Sequence, residues 1–258
     1  MNFIQVVLLG AIAGFTIYLG LPAGRIKGMS DKVRSFLSMT SAGILLFLLF
    51  DIFSQLAEPI EAALGERNLP GFFILFAIFT IGFGIGLLGL IVFEQRFIKF
   101  RSASNQVFSP TRLALMIAAG IGLHNFSEGL AIGQSAGNGE IAFATILIIG
   151  FGLHNATEGF AIVSPLVGGE QPSWKFLGLA GLIAGGPTFI GTMIGYYFIS
   201  PIMSILFLAL AAGAIVYIIG ELFHVNRRPG LRLSAGWGLF VGFLIAFLTD
   251  MILVFAGI

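Results

Sequence analysis

The chain of 258 residues contains no cysteine. Disulfides and thiolate metal sites are excluded by that absence alone. Charge is scarce as well. Asp, Glu, Lys and Arg together supply 10% of the residues, where a soluble domain carries about 25%. The net charge of +1 gives no reason to expect nucleic acid as a partner. No P-loop or other nucleotide-binding stretch occurs, so ATP is not the local energy source. Histidine is also rare, with three in the chain, and no connecting stretch is long enough to hold a soluble domain.

What is present is hydrocarbon. Apolar residues make up 57% of the chain, with 28 Phe and 36 Gly. Glycine is more frequent in membrane-spanning helices than in soluble ones. Apolar runs of about 20 residues, the length that spans a bilayer, recur along the whole sequence. Eight are expected, near 3–22, 36–57, 71–93, 112–134, 141–164, 176–199, 202–223 and 236–257. The expected fold class is therefore an all-α integral membrane protein of eight transmembrane helices, forming a single domain over 1–258. The first run lacks a basic leader and a small-residue cleavage site, so it reads as a retained helix.

The basic residues are distributed unevenly. Arg25, Lys27, Lys32 and Arg34 fall between runs 1 and 2, and Arg96, Lys99, Arg101 and Arg112 between runs 3 and 4. Lys175 follows run 5, and Arg227, Arg228 and Arg232 follow run 7. Only Arg67 falls on the other side, so 12 of the 13 basic residues share one face. The positive-inside rule makes that face cytoplasmic and puts both termini outside. Lean loops and the lack of an organelle signal point to a prokaryotic plasma membrane.

Two of the three histidines lie in a repeated phrase. Gly120-Ile-Gly-Leu-His-Asn-Phe-Ser-Glu-Gly129 and Gly150-Phe-Gly-Leu-His-Asn-Ala-Thr-Glu-Gly159 start thirty residues apart. Ionisable residues inside a bilayer are expensive and call for a function. Positions i and i+4 share a helix face, so His124 pairs with Glu128 and His154 with Glu158. Asn125 and Asn155 sit about 100° round each helix, within reach of a second ion or of a ligating carboxylate. The two runs are antiparallel neighbours joined by a short turn, which brings the phrases to one depth. The glycines allow close approach of the backbones. Two imidazoles and two carboxylates suit a divalent transition metal such as zinc, iron or manganese.

These phrases resemble the H-N-x-P-E-G signatures of helices 4 and 5 in the ZIP (Zrt/Irt-like) family of divalent-metal transporters. The resemblance implies inward metal movement through a site between helices 4 and 5, with zinc, iron, manganese, cobalt or cadmium as substrate and no organic cofactor. It also implies helices 1–3 and 6–8 related by inverted pseudo-symmetry around helices 4 and 5, and an elevator-like motion of one bundle past another. Three features depart from the family pattern. The signature proline is replaced by Ser127 and Thr157, which bend a helix more gently by bonding back to the carbonyl at i−4. Gly186 stands where many members carry a helix-6 glutamate, so a second ion is expected to bind less tightly, if at all. The loop between helices 3 and 4 is short and has no histidine. Expected partners are divalent metal ions and bilayer lipid, and a homodimer stays open.

Other polar residues fall inside the runs. Asp51 and Asp250 lie in outer halves and are candidate entrance ligands, with an internal hydrogen bond as the competing role of each. Glu221 and His224 are spaced i, i+3 near the cytoplasmic end of run 7 and form a candidate exit pair, with an interfacial pair beside Arg227 and Arg228 as the competing role. Pro187 is expected to kink run 6 beside a Gly185-Gly186 hinge. Two further functional classes compete with transport. A membrane-embedded dinuclear metalloenzyme would use carboxylate and histidine ligands in a helical bundle, but such sites favour Glu-x-x-His, the reverse of the order here. A metal sensor would need an output domain that this chain lacks.

Overall fold

A computed structural model describes residues 2–93, 109–139, 141–198, 200–226 and 230–255. A few side chains within the helices, His154 and Thr157 among them, are not described. Among the described residues there are eight α-helices and no strand. They are α1 (Phe3–Phe15), α2 (Asp31–Gly65), α3 (Leu69–Phe93), α4 (Pro110–Gly137), α5 (Ile141–Val163), α6 (Trp174–Tyr197), α7 (Pro201–Asn226) and α8 (Arg232–Phe255). Seven stretches are long and apolar enough to cross a membrane, and together they take in every helix except α5. With 23 residues α5 has the length of a span, about 35 Å at the α-helical rise. The chain is thus an α-helical membrane protein.

Local chemistry sets the helix ends. Ser30, Ser109 and Ser173 cap α2, α4 and α6 by accepting a hydrogen bond from the backbone N–H three residues on. The first apolar run breaks earlier than its hydropathy suggests. α1 stops at Phe15, and two 3-10 turns, Thr16–Leu19 and Leu21–Arg25, complete the passage. Gly20 and Pro22 lie in that break, where neither favours a continuous helix. α2 runs past both ends of its apolar run and carries Pro59 inside it. α6 passes through Pro187 without interruption in its helix assignment.

Glycines show which helices lie backbone to backbone and in which direction. A Cβ on Gly122 would overlap the Ile183 carbonyl oxygen, one on Gly129 that of Thr188, and one on Gly133 that of Thr192. The partner number rises with the residue number, so α4 and α6 run parallel. By the same test α5 runs parallel to α1, with Gly159 against Ile17 and Gly20 against Phe160. α1 and α6 cross antiparallel, Gly10 facing Thr192 and Gly14 facing Gly185. These four helices form one group, closed by α4 against α5. The other group pairs α2 in parallel with α8 (Gly43, Gly238 and Gly242) and α3 in parallel with α7 (Gly82, Gly86 and Gly213). The contact of α4 with α7 between the groups is made by side chains. Phe126 and Phe207 lie tilted against each other with ring centroids 4.3 Å apart, and a Cβ on Gly120 would meet the tip of Ile218.

Candidate metal site

The repeated phrases fall in the middle of α4 and α5. In α4 the i, i+4 spacing works as helix geometry requires, and His124 Nε2 lies 3.2 Å from Glu128 Oε1. Both side chains are buried. A carboxylate taken out of water costs several kcal/mol unless it is paired, and the imidazole is its neighbour. Glu158, the counterpart in α5, is 0% exposed. The side chain of His154 lies outside the described residues. Among the described residues no group of three or more His, Asp or Glu side chains gathers at one point.

The asparagines fix the depth of the phrases. Asn125 Nδ2 donates to the Ala184 carbonyl of α6 at 3.1 Å. Asn155 Nδ2 donates to the Ala13 carbonyl of α1, also at 3.1 Å. Ala13 and Ala184 are the residues just before Gly14 and Gly185, whose backbones touch where α1 crosses α6. The ring of helices therefore closes at one level, α4 to α6 to α1 to α5, and the two asparagines share that level. With its N–H donors committed to a carbonyl, each amide leaves Oδ1 without a hydrogen-bond partner among the described residues. A buried, unpaired carbonyl oxygen is costly. It is also a ready donor to a cation.

Hydroxyls surround this level. Thr188 is fully buried and its Oγ1 has no hydrogen-bond partner among the described residues. It follows Pro187, and its backbone lies against Gly129 and its Cβ against Gly14. Sequence reasoning passed over Thr188 because it searched α6 for acids. The signal was the spacing Ala184, Thr188, Thr192 on the helix's small-residue face. Ser127 is buried too, but its Oγ makes no hydrogen bond among the described residues, so the expected bond back to the carbonyl at i−4 does not form. The expected bond of Thr157 lies outside the described residues.

A family model described as ZIP zinc transporter matches residues 99–250, more than half of the chain. The chain belongs to the ZIP zinc transporter family. No curated protein matches it. Membership in the ZIP family means divalent metal ion transport, and ZIP proteins are transporters and not enzymes. For a protein of this family the metal is cargo and not a resident cofactor.

The remaining sequence candidates lie elsewhere in this ZIP protein. Asp51 is half-buried and its Oδ2 accepts a hydrogen bond from Gln55 Nε2 at 2.8 Å, which is the internal role weighed against an entrance ligand. Asp250 is half-buried near the C-terminal end of α8, one turn beyond Ala246, which packs on Ile44 and Phe47 of α2. Asp51 is likewise one turn beyond Phe47, so both acids lie on the α2–α8 seam. Glu221 is half-buried, and His224 is exposed on the wall of a cleft at the end of α7. Arg227 and Arg228, weighed as neighbours of that pair, lie outside the described residues, as do Arg96, Lys99 and Arg101. Gly186 is on the stripe of α6 that also carries Leu182 and Ile190, exposed by 55% and 50%.

Proposed function

We propose that this protein carries divalent transition metals, zinc foremost, into the cytoplasm through a site between α4 and α5. The ligands are His124, Glu128, His154 and Glu158, with Asn125 and Asn155 supplying neutral oxygens. Iron, manganese, cobalt and cadmium suit the same donors. The reading rests above all on the two asparagine anchors. They tie the repeated phrases to neighbouring carbonyls at the crossing of α1 and α6, with two acceptor oxygens left over. Helical transporters hold their substrate in this way, at mid-membrane between facing helices.

In this reading all eight helices span, in an inverted 3+2+3 order, with α1–α3 and α6–α8 as the related triplets and both termini outside a prokaryotic plasma membrane. The matching parallel pairs support it: α4 on α6 answers α5 on α1, and α2 on α8 answers α7 on α3. The group α1, α4, α5 and α6 would move as one body past α2, α3, α7 and α8. Backbone contacts join α4 to α6 and α6 to α1 in one group, and α2 to α8 and α3 to α7 in the other, while the α4–α7 seam is made of side chains that can change partners. Movement follows the metal gradient and the membrane potential.

The test is metal uptake into sealed proteoliposomes, with zinc and manganese in parallel. Saturable uptake that falls at least tenfold in both Glu128→Ala and His154→Ala is the expected result. Binding without uptake in the intact protein would overturn transport. Unchanged uptake in both variants would move the site away from α4 and α5.

A further inference from the structure

α7 and α8 are consecutive in the chain, yet among the described residues they hardly touch. α7 is taken up by α3, and α8 by α2. The α2–α3 hairpin, by contrast, packs along itself. Between α7 and α8 a cleft of about 540 Å³ opens at the end where the two helices are joined, with Met39 of α2 as its floor. Its walls are Gly220, Phe223 and His224 from α7 and Gly236 and Leu239 from α8, with Arg232 at one end.

The two wall glycines stand apart from the packing glycines. Gly238 and Gly242, in the same helix as Gly236, lie so close to the backbone of α2 that a Cβ would overlap it. A Cβ on Gly220 or Gly236 would meet no atom within 4 Å. No neighbouring helix accounts for these two glycines, and the room they leave is apolar. Water is held poorly in a slot whose polar partners lie at its edge. The cleft lies in a chain that spans a bilayer, so the available apolar occupant is lipid.

Charge selects among lipids. Arg232 is the first residue of α8 and is exposed. The unpaired N–H groups of a helix start add positive potential beside it. The sequence joining the helices reads Arg227-Arg228-Pro229-Gly230-Leu231-Arg232, which adds two more basic residues to the chain near Arg232. Basic pockets between membrane helices suit anionic headgroups. We propose that the α7–α8 cleft binds an anionic phospholipid, with an acyl chain between Gly220 and Gly236 and the phosphate at Arg232. The lipid completes the seam that α7 and α8 do not make for themselves. The proposal rests on the chain spanning a bilayer and is independent of which metal it carries.

The test uses the full chain, purified and delipidated in a neutral detergent. Phosphatidylglycerol and phosphatidylcholine of identical acyl chains are titrated in, with glycerol 3-phosphate as the free-anion control. Bound lipid is counted by native mass spectrometry and thermal unfolding is followed alongside. Phosphatidylglycerol is expected to bind at least tenfold more tightly than phosphatidylcholine and to raise the unfolding temperature, with no effect of glycerol 3-phosphate. Arg232→Gln should abolish the preference. Gly236→Leu fills open space, so it should fold normally and lose the bound lipid. Equal binding of the two lipids, or full phosphatidylglycerol binding by Gly236→Leu, would overturn the proposal. So would competition by glycerol 3-phosphate, which would reduce the site to a free-anion site. If Arg232→Gln does not fold, the Gly236→Leu comparison decides alone.

Discussion

The copy of the phrase on α4 and the copy on α5 share His, Asn, Glu and the glycines, and they are held by different means. α4 lies along α6 over most of its length, with Gly122, Gly129, Gly133 and Gly137 each pressed on the partner's backbone. α5 has α1 beside it only as far as Phe15, after which its partner is a pair of 3-10 turns. The anchor of Asn125 is a carbonyl inside a continuous helix. The anchor of Asn155 is a carbonyl two residues from a helix end, where Thr16 Oγ1 also donates to it at 2.6 Å. Equal chemistry thus meets unequal stiffness. The α4–α6 side is the firm wall of the site, and the α5–α1 side is the one able to yield. A carrier gains from that arrangement, because one wall can keep its geometry while the other adjusts as the ion enters and leaves.

The largest test of this contrast enlarges one glycine on each side. Gly129→Leu drives a side chain into the Thr188 backbone of α6, and Gly159→Leu drives one into the Ile17 backbone of the 3-10 turn. Overpacking typically costs about 1–3 kcal/mol, and more where nothing can move. Gly129→Leu is expected to give no monodisperse protein on size-exclusion chromatography. Gly159→Leu is expected to remain folded with a lowered unfolding temperature. Equal damage from the two would end the distinction between a firm wall and a yielding one.

Metal affinity as a function of pH addresses the chemistry the copies share. Imidazole binds a metal only when neutral. As pH falls into the range where imidazole takes up a proton, each histidine ligand therefore weakens apparent affinity, by up to about tenfold per pH unit. Zinc binding by equilibrium dialysis from pH 7.5 to 5 should fall with a limiting slope near two. His124→Ala and His154→Ala should each reduce it to about one. A slope unchanged by His154→Ala would remove that residue from the ligand set and leave the α4 copy to act alone.

A smaller effect belongs to the anchors. Replacing Asn155 by Ala removes one of two side-chain donors from the Ala13 carbonyl and Thr16→Val removes the other, at about 1 kcal/mol each. Together they strip the carbonyl at the end of α1, so the double variant should lose more than the sum, by roughly 0.5–3 kcal/mol of coupling. Asn125→Ala combined with Thr16→Val should be additive, because Asn125 anchors to α6. Unfolding temperatures of the intact chain and these five variants check this, and coupling in the wrong pair would contradict the assignment of anchors.

Much of this was legible in the sequence. Six of the eight apolar runs correspond to helices within a few residues, because a run of some twenty apolar residues has few other fates, while α1 stops seven residues short of its run and α2 extends five and eight residues past the ends of its own. The break in the first run was written in Gly20 and Pro22, but hydropathy averages over such residues. Spacing gave the His124–Glu128 pair, since i and i+4 meet on any helix. It could not give the partners of Asn125 and Asn155, because periodicity tells which face a residue occupies and not which helix lies opposite. Thr188 was hidden for a related reason. A threonine in an apolar run is ordinary until the packing buries its hydroxyl at the level of two asparagine oxygens.

The smallest expected effect concerns Gly186, which stands where the family resemblance leads one to expect a helix-6 glutamate. Gly186 follows Leu182 by one turn and precedes Ile190 by one turn, and both of those side chains are exposed on the outer surface of α6. A Cβ there meets only Leu182, at 3.4 Å. The donors that gather near α4, Thr188 and Thr192, occupy the other side of the helix. Restoring the acid as Gly186→Glu should therefore leave the number of zinc ions bound per chain unchanged in equilibrium dialysis. Uptake should change by less than about threefold. Gly186 is itself buried, and a charged side chain inside a bilayer costs about 2.5–3.5 kcal/mol on insertion scales, so a modest loss of folded protein should accompany the substitution. A gain of one bound zinc would show that α6 can turn this stripe inward. The firm wall of the site would then be the mobile one, and the comparison between α4 and α5 would have to be reversed.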